Sequence, residues 1–255
     1  MRILTVGDVV GNSGTEYIGK HLWTLRKQYA VDMVIANGEN SHQANGITPK
    51  SADVLFNAGV DVITTGNHVY KRNEVYDYLN EKQHIIRPAN FPKSCPGSGY
   101  VIFDTGNVRV LVINVMGLIY MESMADPFET AEKILAECEG KYDISVIDIH
   151  AEATSEKRAL GFYLDGRAGA VFGTHTHVQT ADEQILPKGT GYITDLGMTG
   201  PIQSVLGINP ETAIKKFTTK MPVAFTIIDG EAMLNGAIFE FAAGKCVAIE
   251  RINIS

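Results

Sequence analysis

Short apolar runs rich in valine and isoleucine recur along the chain, and each run stops at a glycine or at a polar residue. Such runs are typical of strands buried on both faces of a sheet. In the first third of the chain each run is followed by helical periodicity, which predicts successive strand–helix units. The predicted strands are 2–7, 32–37 and 60–65, the predicted helices lie around Tyr17–Tyr29, Pro49–Ala58 and Asn73–Glu81, and Gly11 and Gly14 predict a turn before the first helix.

The middle of the chain predicts a change from this order. The stretch GYVIFDTGNVRVLVINVMG predicts a β-hairpin that turns at Gly106-Asn107. The stretch DPFETAEKILAECEG then predicts an amphipathic helix. In this helix we expect Asp126 as the N-cap, Pro127 as the first helical residue and Glu129 as the second half of a capping box.

The last part of the chain first returns to strand–helix order and then becomes mostly strand. A strand ends at Ile149, a helix lies around Ser155–Leu160, and strand patterns dominate from Gly169 onward. Asp229-Gly230 and Gly244-Lys245 stand between alternating runs, which predicts two hairpins. A parallel half followed by an antiparallel half predicts an α/β fold in which two sheets pack face to face with helices outside.

Composition narrows the classes of function. With 45% hydrophobic and 20% charged residues, the chain is an ordinary globular protein, and we expect a single domain over residues 1–255. The net charge of −7 and the lack of a basic cluster argue against extended nucleic acid as a partner. Without a membrane-length apolar run or a signal peptide, we expect no membrane partner and a cytoplasmic location. The odd number of scattered cysteines (Cys95, Cys138 and Cys246) argues against a disulfide framework.

Residues that can ligate a metal ion follow five of the apolar runs. Because ligands gather at the carboxyl ends of strands in α/β sheets, these side chains are expected to lie close together. The pattern therefore predicts one metal site assembled from most of the chain. The residues are Asp8 after ILTVG, Glu39 and Asn40 after VIANG, Asn67 and His68 after VITTG, His150 after SVIDI, and His175 and His177 after AVFGT.

Each candidate also has a plainer interpretation. Asp8 could cap the following helix, and His150 could be held by a hydrogen bond to the backbone. The His175/His177 pair is weak support by itself. Glu39 could sit in solvent at a turn, but it follows the apolar DMVIANG, and a buried unpaired carboxylate is strongly unfavourable. No Lys or Arg lies near Glu39 in sequence, so a bound cation explains it best.

We expect His68 to differ from the ligands. It follows Asn67 directly, so the two side chains diverge, and His68 is expected to face the substrate and protonate a leaving oxygen. A structural hydrogen bond is the alternative. Glu152 and Glu156 could orient the histidines, although a solvated helix face suits Glu156 better. The remaining histidines, His21, His42 and His84, are expected to be structural, with His42 the nearest to the site in sequence.

Charge favours two metal ions over one. Asp8 and Glu39 bring about −2, two divalent ions about +4 and a bridging hydroxide −1, and the remaining charge of about +1 matches a phosphodiester anion. Seven nitrogen and oxygen ligands also exceed what one ion needs. Because no thiolate contributes, Mn or Fe fits at least as well as Zn.

The order Gly-Asp, Gly-Glu-Asn, Gly-Asn-His, His and Gly-Thr-His-Thr-His resembles the calcineurin-like metallophosphoesterases. Their signature is Asp-x-His, Gly-Asp, Gly-Asn-His-Asp/Glu, His and Gly-His-x-His. This chain departs from it at Val10, where the family has histidine, at Glu39-Asn40 and at Val69. These departures, together with GDVVG, GEN, HAEATSEK, GTHTHVQT and TDLGMTGP, are similar to the bacterial YmdB-like branch over essentially the whole chain.

The resemblance implies a four-layer sandwich of two mixed sheets flanked by helices. It also implies a two-metal phosphodiesterase that acts on small cyclic nucleotides, notably 2′,3′-cyclic ones such as 2′,3′-cAMP, by a metal-bridged hydroxide, with His68 as general acid. Glu39 would bridge the two ions. The implied ligands are Asp8, Glu39, Asn40 and His177 for one ion and Glu39, Asn67, His150 and His175 for the other.

Two other classes of protein remain open at this stage. A two-metal amidohydrolase also uses His-x-His, but there the pair leaves the first strand of a barrel, whereas here it comes late in the chain. A metal-dependent regulatory or nucleotide-binding protein with residual phosphatase activity is the second alternative. The exposed edge of the C-terminal hairpins could pair with a second copy, which would give a homo-oligomer.

Overall fold

Two mixed β-sheets pack face to face in the computed structural model, which describes residues 1–255. The first sheet contains β1 Arg2–Val6, β2 Asp8–Val9, β3 Met33–Asn37, β4 Val62–Thr64, β11 Met198–Pro201, β12 Ala232–Ala242 and β13 Lys245–Ile254. The second contains β5 Tyr100–Asp104, β6 Arg109–Met116, β7 Ile144–His150, β8 Ala170–Thr174, β9 Gln184–Ile185 and β10 Gly191–Ile193.

Six helices connect the strands. They are α1 Gly11–Gln28, α2 Pro49–Ala58, α3 Val75–Glu81, α4 Pro127–Glu137, α5 Thr154–Tyr163 and α6 Pro210–Thr219. None of them is long and apolar enough to cross a membrane.

The strand order places the ends of parallel strands at one edge. In the first sheet the order is β2-β11-β12-β1-β3-β4, with β13 on the free side of β12, and β1, β3 and β4 run parallel. In the second sheet the order is β5-β6-β7-β8-β10-β9, with β6, β7, β8 and β10 parallel. The carboxyl ends of these strands carry the candidate ligands.

The central strands of each sheet have buried side chains on both faces, so each sheet packs against another layer on either side. Ile3 and Ile35 of the first sheet meet Val112 and Phe172 of the second in the layer between the sheets. The outer face of the first sheet packs on α1 and α2, and that of the second sheet on α4 and α5. Each buried Ile, Val or Phe side chain in these layers stabilises the fold by roughly 1.5–3 kcal/mol. The predicted α/β sandwich of two sheets with helices outside is thus confirmed.

Several local predictions are correct. The bounds of α2 match the predicted Pro49–Ala58, the β5–β6 hairpin turns at Gly106-Asn107, and the β12–β13 hairpin turns at Gly244. Asp126 caps α4 with Pro127 in the first helical position. The three cysteines are unpaired.

Other local predictions are wrong. Helix α1 begins at Gly11 and not near Tyr17. Gly14 is a helical residue that allows close packing and does not form a turn, since a Cβ there would lie 2.3 Å from the carbonyl oxygen of Thr199. The segment between β11 and β12 forms α6. Asp229-Gly230 is not a hairpin turn, since its backbone is held instead by a hydrogen bond from the Gly230 N–H to Ser13 Oγ.

The assignment of the sheets to halves of the chain is also wrong. The C-terminal strands β11, β12 and β13 join β1, β3 and β4 in the first sheet, and β12 pairs with β1 from Arg2↔Glu240 to Val6↔Gly236. The second sheet comes wholly from the middle of the chain. This pairing of the two ends of the chain depends on long-range contacts that local periodicity does not contain.

The start of α4 provides a test of helix capping. The Asp126 carboxylate accepts hydrogen bonds from the N–H groups of Phe128 (2.7 Å) and Glu129 (3.0 Å), whereas the Glu129 side chain makes no return bond, so the predicted capping box is absent. We expect Asp126→Ala to lower the free energy of unfolding by about 1 kcal/mol. The control Glu129→Ala is expected to lower it by less than half as much. Urea unfolding measures both losses of free energy. Equal losses in the two variants would indicate that Glu129 completes a capping box after all.

Candidate metal centre

The predicted ligands meet at the edge where the parallel strands of both sheets end. Glu39 and Asn40 follow β3, and Asn67 and His68 follow β4. Asp8 opens β2 after Gly7 ends the run of β1, His150 closes β7, and His175 and His177 follow β8. Strand ends that lie far apart in sequence therefore place all of these side chains in one cluster.

One half of the cluster surrounds His150 Nε2. This atom lies 3.0 Å from Asn67 Oδ1, 3.2 Å from Glu39 Oε1 and 3.1 Å from His175 Nδ1. One potential ligand atom from each of Glu39, His150 and His175 lies within 4.8 Å of the other two. These donors point at a common centre, as ligands of one ion would.

The other half of the cluster surrounds His177 Nε2. This atom lies 3.6 Å from Asp8 Oδ1 and 3.4 Å from Asn40 Nδ2. Asn40 Nδ2 in turn lies 3.1 Å from Glu39 Oε1, the atom that also faces His150. Glu39 thus stands between the two halves, where a bridging ligand would stand.

The two carboxylates of the cluster have no cationic partner other than histidine. The side chains of Asp8 and Glu39 are 0% and 1% exposed, and no Lys or Arg nitrogen lies within 4.0 Å of either. Asp8 Oδ1 is buried without any hydrogen bond. Because a buried charge without a partner costs several kcal/mol, this orphaned oxygen and the nitrogen–oxygen donor set fit bound divalent cations.

The pKa values in the cluster depend on burial and on the charges of its neighbours. Burial alone would lower the pKa of His150, but the charges of Glu39 and Asp8 raise it to about 9. Burial would raise the pKa of Glu39, yet the adjacent His150 and His68 hold it well below its usual range. For His175, burial and the neighbouring His150 both lower the pKa, to about 4. The buried carboxylates therefore stabilise positive charge at His150 but not at His175.

Polar partners behind each candidate ligand histidine hold the orientation of its ring. His177 Nδ1–H donates to the carbonyl oxygen of Leu206 (3.0 Å), and His175 Nε2 lies 3.2 Å from Glu152 Oε2. His150 Nδ1 lies 2.9 Å from Thr174 Oγ1. In each ring the opposite nitrogen is left facing the cluster, which is the arrangement seen in metal-bound histidines.

A buried polar layer beneath His150 was missed by the sequence analysis. Thr174 Oγ1 donates to Asp148 Oδ1 (2.8 Å), so the His150 Nδ1–H donates to Thr174 and not the reverse. Asp148 also accepts from Thr64 Oγ1 at 2.5 Å and from Asn37 Nδ2 at 3.3 Å, and burial raises its pKa to about 7. The available signal was a polar residue within an otherwise apolar strand, as Asp148 is in SVIDI.

Close packing constrains one residue of the cluster, and backbone strain marks two others. A Cβ at Gly66 would lie 2.2 Å from the His150 ring and 2.4 Å from Glu39 Oε2, so only glycine fits before Asn67. His175 and His177 have φ values of +97° and +61°, a region that non-glycine residues rarely adopt. Strain of this kind costs roughly 1–3 kcal/mol per residue, and it persists where the surroundings hold the backbone.

His68 lies at the mouth of the cluster. Its Nδ1 lies 3.0 Å from Asn40 Oδ1 and 3.4 Å from Glu39 Oε1, and its backbone N–H donates to Glu39 Oε2 at 3.1 Å. The side chain is 28% exposed, while that of His150 is fully buried. One side of the His68 ring is thus held by the cluster and the other is open to an incoming molecule.

The residues around the cluster divide into two groups. Glu152 contacts His175, consistent with an orienting role. The solvated position expected for Glu156 is wrong: Glu156 is 7% exposed and accepts hydrogen bonds from the N–H groups of Leu118 and Ile119, which anchors the loop after β6. The other histidines lie outside the cluster, with His21 stacked on Tyr17, His84 against Phe103 and His42 accepting from the Ala44 N–H.

Comparisons with known proteins agree over the full length of the chain. A protein of Bacillus subtilis (strain 168) named 2′,3′-cyclic-nucleotide 2′-phosphodiesterase is 45% identical over 257 residues, which cover 100% of this chain and 97% of that protein. The crystal structure of a hypothetical protein from Thermus thermophilus has a TM-score of 0.94 at 43% identity and covers 99% of this chain and 98% of that one. The crystal structure of a Mycoplasma pneumoniae phosphatase has a TM-score of 0.93 at 34% identity, with coverage of 100% and 93%.

A family model described as YmdB-like protein matches residues 4–252. This match spans every strand end of the cluster, from Asp8 to His177, and it agrees with the motif resemblance in the sequence. The chain therefore belongs to the YmdB-like family.

Proposed function

We propose that this protein is a phosphodiesterase that uses two divalent cations to hydrolyse small cyclic nucleotides, with 2′,3′-cyclic nucleotides as the substrate class. The observation that carries the proposal is the pair of fully buried carboxylates, Asp8 and Glu39, which three histidines face. In each histidine the ring nitrogen that points away from the carboxylates contacts a polar partner. The name of the Bacillus subtilis relative, 45% identical over the whole chain, supports the same substrate class.

The donor set divides into two groups that share Glu39. Asp8, Glu39, Asn40 and His177 would hold one cation, and Glu39, Asn67, His150 and His175 the other. Asn40 presents its Nδ2 to Glu39 and His177 and its Oδ1 to His68. A half turn of this amide would direct the oxygen to the cation, and Glu39 Oε1, 3.4 Å from His68 Nδ1, would remain as the acceptor of the His68 Nδ1–H.

The chemistry follows from what each group can do near a phosphodiester. Bound divalent cations act as Lewis acids toward phosphoryl oxygens and lower the pKa of coordinated water. Asp8 and Glu39 would hold the cations, and the three histidines would present ring nitrogens in fixed orientations. His68, held on one side by Asn40 and open on the other, is placed to give a proton to the leaving alkoxide.

The donor chemistry bears on which cation binds. The cluster has carboxylate, amide and imidazole donors and no thiolate, so we propose Mn or Fe as the native metal, with Zn as an alternative.

The single domain over residues 1–255 and the cytoplasmic location stay predictions. So does self-association, which would use the outer edge of β13, since this strand pairs only with β12.

The two alternative functions have less support than a phosphodiesterase. An amidohydrolase barrel is wrong, because the strands form two open sheets. A regulatory protein with residual phosphatase activity is not favoured, since the Bacillus subtilis relative has the name of an enzyme and covers the whole chain.

Removal of metal should abolish hydrolysis. We expect chelator-stripped protein to cleave bis-p-nitrophenyl phosphate and 2′,3′-cAMP at least ~10²-fold more slowly than protein reloaded with Mn²⁺, because Lewis-acid assistance contributes several kcal/mol. Release of p-nitrophenol and nucleotide chromatography measure the two rates. An unchanged rate after stripping would contradict the proposal.

Loss of Glu39 should remove both ions, whereas loss of Asp8 should remove one. In Glu39→Gln we expect close to no metal to remain after dialysis, because both groups lose their shared charge. In Asp8→Asn we expect one ion per chain, since His150, His175 and Glu39 keep their arrangement. Elemental analysis measures metal per chain, with circular dichroism as the control for folding. Equal metal content in the two variants would exclude a bridging role for Glu39.

His68→Asn should separate the proton donor from the ligands. With 2′,3′-cAMP the alkoxide leaving group needs a proton, so we expect kcat to fall about 10²–10⁴-fold. With bis-p-nitrophenyl phosphate the phenolate leaves unaided, and we expect a much smaller loss at unchanged metal content. His42→Asn is the matched control, because His42 lies in the loop after Glu39 and bonds only the backbone. Similar losses on the two substrates would refute the role of His68 as proton donor.

A further inference from the structure

A buried ion pair lies beside the cluster without contributing a ligand to it. Lys157 Nζ lies 2.5 Å from Asp195 Oδ2, and both side chains are 1% exposed. Lys157 closes the motif HAEATSEK that opens with His150, and Asp195 belongs to TDLGMTGP. Neither side chain forms a hydrogen bond with the side chain of a proposed metal ligand. The pair is therefore unexplained by the proposed chemistry.

Asp195 holds the turn that carries two of the histidines. Its Oδ2 accepts hydrogen bonds from Thr176 N–H (3.2 Å) and from Thr176 Oγ1 (2.8 Å). Thr176 lies between His175 and His177, which both have the left-handed backbone that non-glycine residues disfavour. Thr176 thus makes two hydrogen bonds to Asp195 and has one strained residue on each side. This arrangement indicates that Asp195 stabilises the conformation of the turn.

The same carboxylate reaches the strand that carries Asp8. Asp195 Oδ1 accepts from the Gly197 N–H at 2.8 Å, and the Gly197 carbonyl oxygen accepts from the Asp8 N–H at 3.0 Å. Asp8 Oδ2 in turn accepts a hydrogen bond from the His175 N–H at 3.0 Å, which completes a closed ring of hydrogen bonds. Asp195 is thus bonded directly to the turn that supplies His177, and it is linked through Gly197 to the strand that supplies Asp8.

Lys157 links this network to the third segment of the site. It belongs to α5, which begins four residues after His150, and its stem packs over Gly173. A Cβ at position 173 would lie 2.8 Å from Lys157 Cδ, so a larger residue there would displace the lysine. The ammonium also supplies the countercharge that a buried carboxylate needs.

We propose that the Lys157–Asp195 pair is a positioning device that sets the spacing of the metal ligands on β2, β7 and the turn after β8. Asp195, Lys157 and Thr176 are positioning residues in this proposal, because they act through the backbone of the ligands. The inference rests on the proposed metal centre. The competing explanation is that the pair stabilises the fold and nothing more.

The test measures Mn²⁺ affinity separately from stability. Thr176→Val removes one hydroxyl hydrogen bond, and Thr176→Ser keeps it. The double variant Lys157→Met/Asp195→Leu removes both hydrogen bonds between Asp195 and the turn without leaving a buried charge, and such apolar replacements are often neutral for stability. Asp165→Asn is the control, since Asp165 is a buried carboxylate that accepts from the N–H groups of Lys188 and Thr190 away from the cluster.

Calorimetric titration of metal-stripped protein with Mn²⁺ gives the affinity, and urea unfolding of the same metal-free samples gives the stability. We expect Thr176→Val and the double variant to bind Mn²⁺ about 10- to 100-fold more weakly than wild type, the range found when partners behind metal ligands are removed. We expect Thr176→Ser to bind within about threefold of wild type. Asp165→Asn should lower stability and leave the affinity unchanged.

The outcomes separate this inference from the proposed function. If wild type binds Mn²⁺ and both Thr176→Val and the double variant bind it as tightly, the positioning role is overturned and the metal centre stands. If affinity in all variants simply follows stability, with Asp165→Asn included, the positioning role is overturned as well. If wild type itself binds no Mn²⁺, the metal centre fails and the inference with it. Should the double variant not fold, the Thr176→Val and Thr176→Ser pair decides.

Discussion

Asp8 and Glu39 place two negative charges inside the protein, at the edge where the parallel strands of both sheets end. Water does not reach them, no Lys or Arg approaches them, and one oxygen of Asp8 has no hydrogen bond. Charge of this kind is tolerated only when positive charge balances it. The surrounding features follow from that need. Position 66 is a glycine because a side chain there would collide with the donors, and a partner behind each histidine orients the ring so that its other nitrogen faces the carboxylates.

The fold satisfies this constraint by joining segments that are distant in sequence. β12, from the end of the chain, pairs with β1 and with β11, and β11 pairs with the short β2 that opens with Asp8. The middle of the chain supplies the second sheet, whose β7 and β8 bring in His150, His175 and His177. Each sheet alone holds part of the donor set, so the packing of the two sheets completes the site.

Much of this arrangement could be predicted from the sequence, because strand ends are local features and parallel strands align their ends. The cluster of Asp8, Glu39 and His150 follows from that geometry. The start of α1, helix α6 and the division of strands between sheets could not be predicted, since they depend on contacts such as Gly14 against Thr199 and β1 against β12. The supporting polar residues were visible as exceptions within apolar runs, but their partners lie in distant segments.

Glu39 is proposed to stand between two bound cations. Anomalous diffraction from crystals of Mn²⁺-loaded protein, collected at the manganese absorption edge, tests it most directly. We expect two peaks, one between Glu39, Asp8 and His177 and the other between Glu39, Asn67, His150 and His175. A single peak, or peaks that leave the Glu39 carboxylate without a metal, would contradict it.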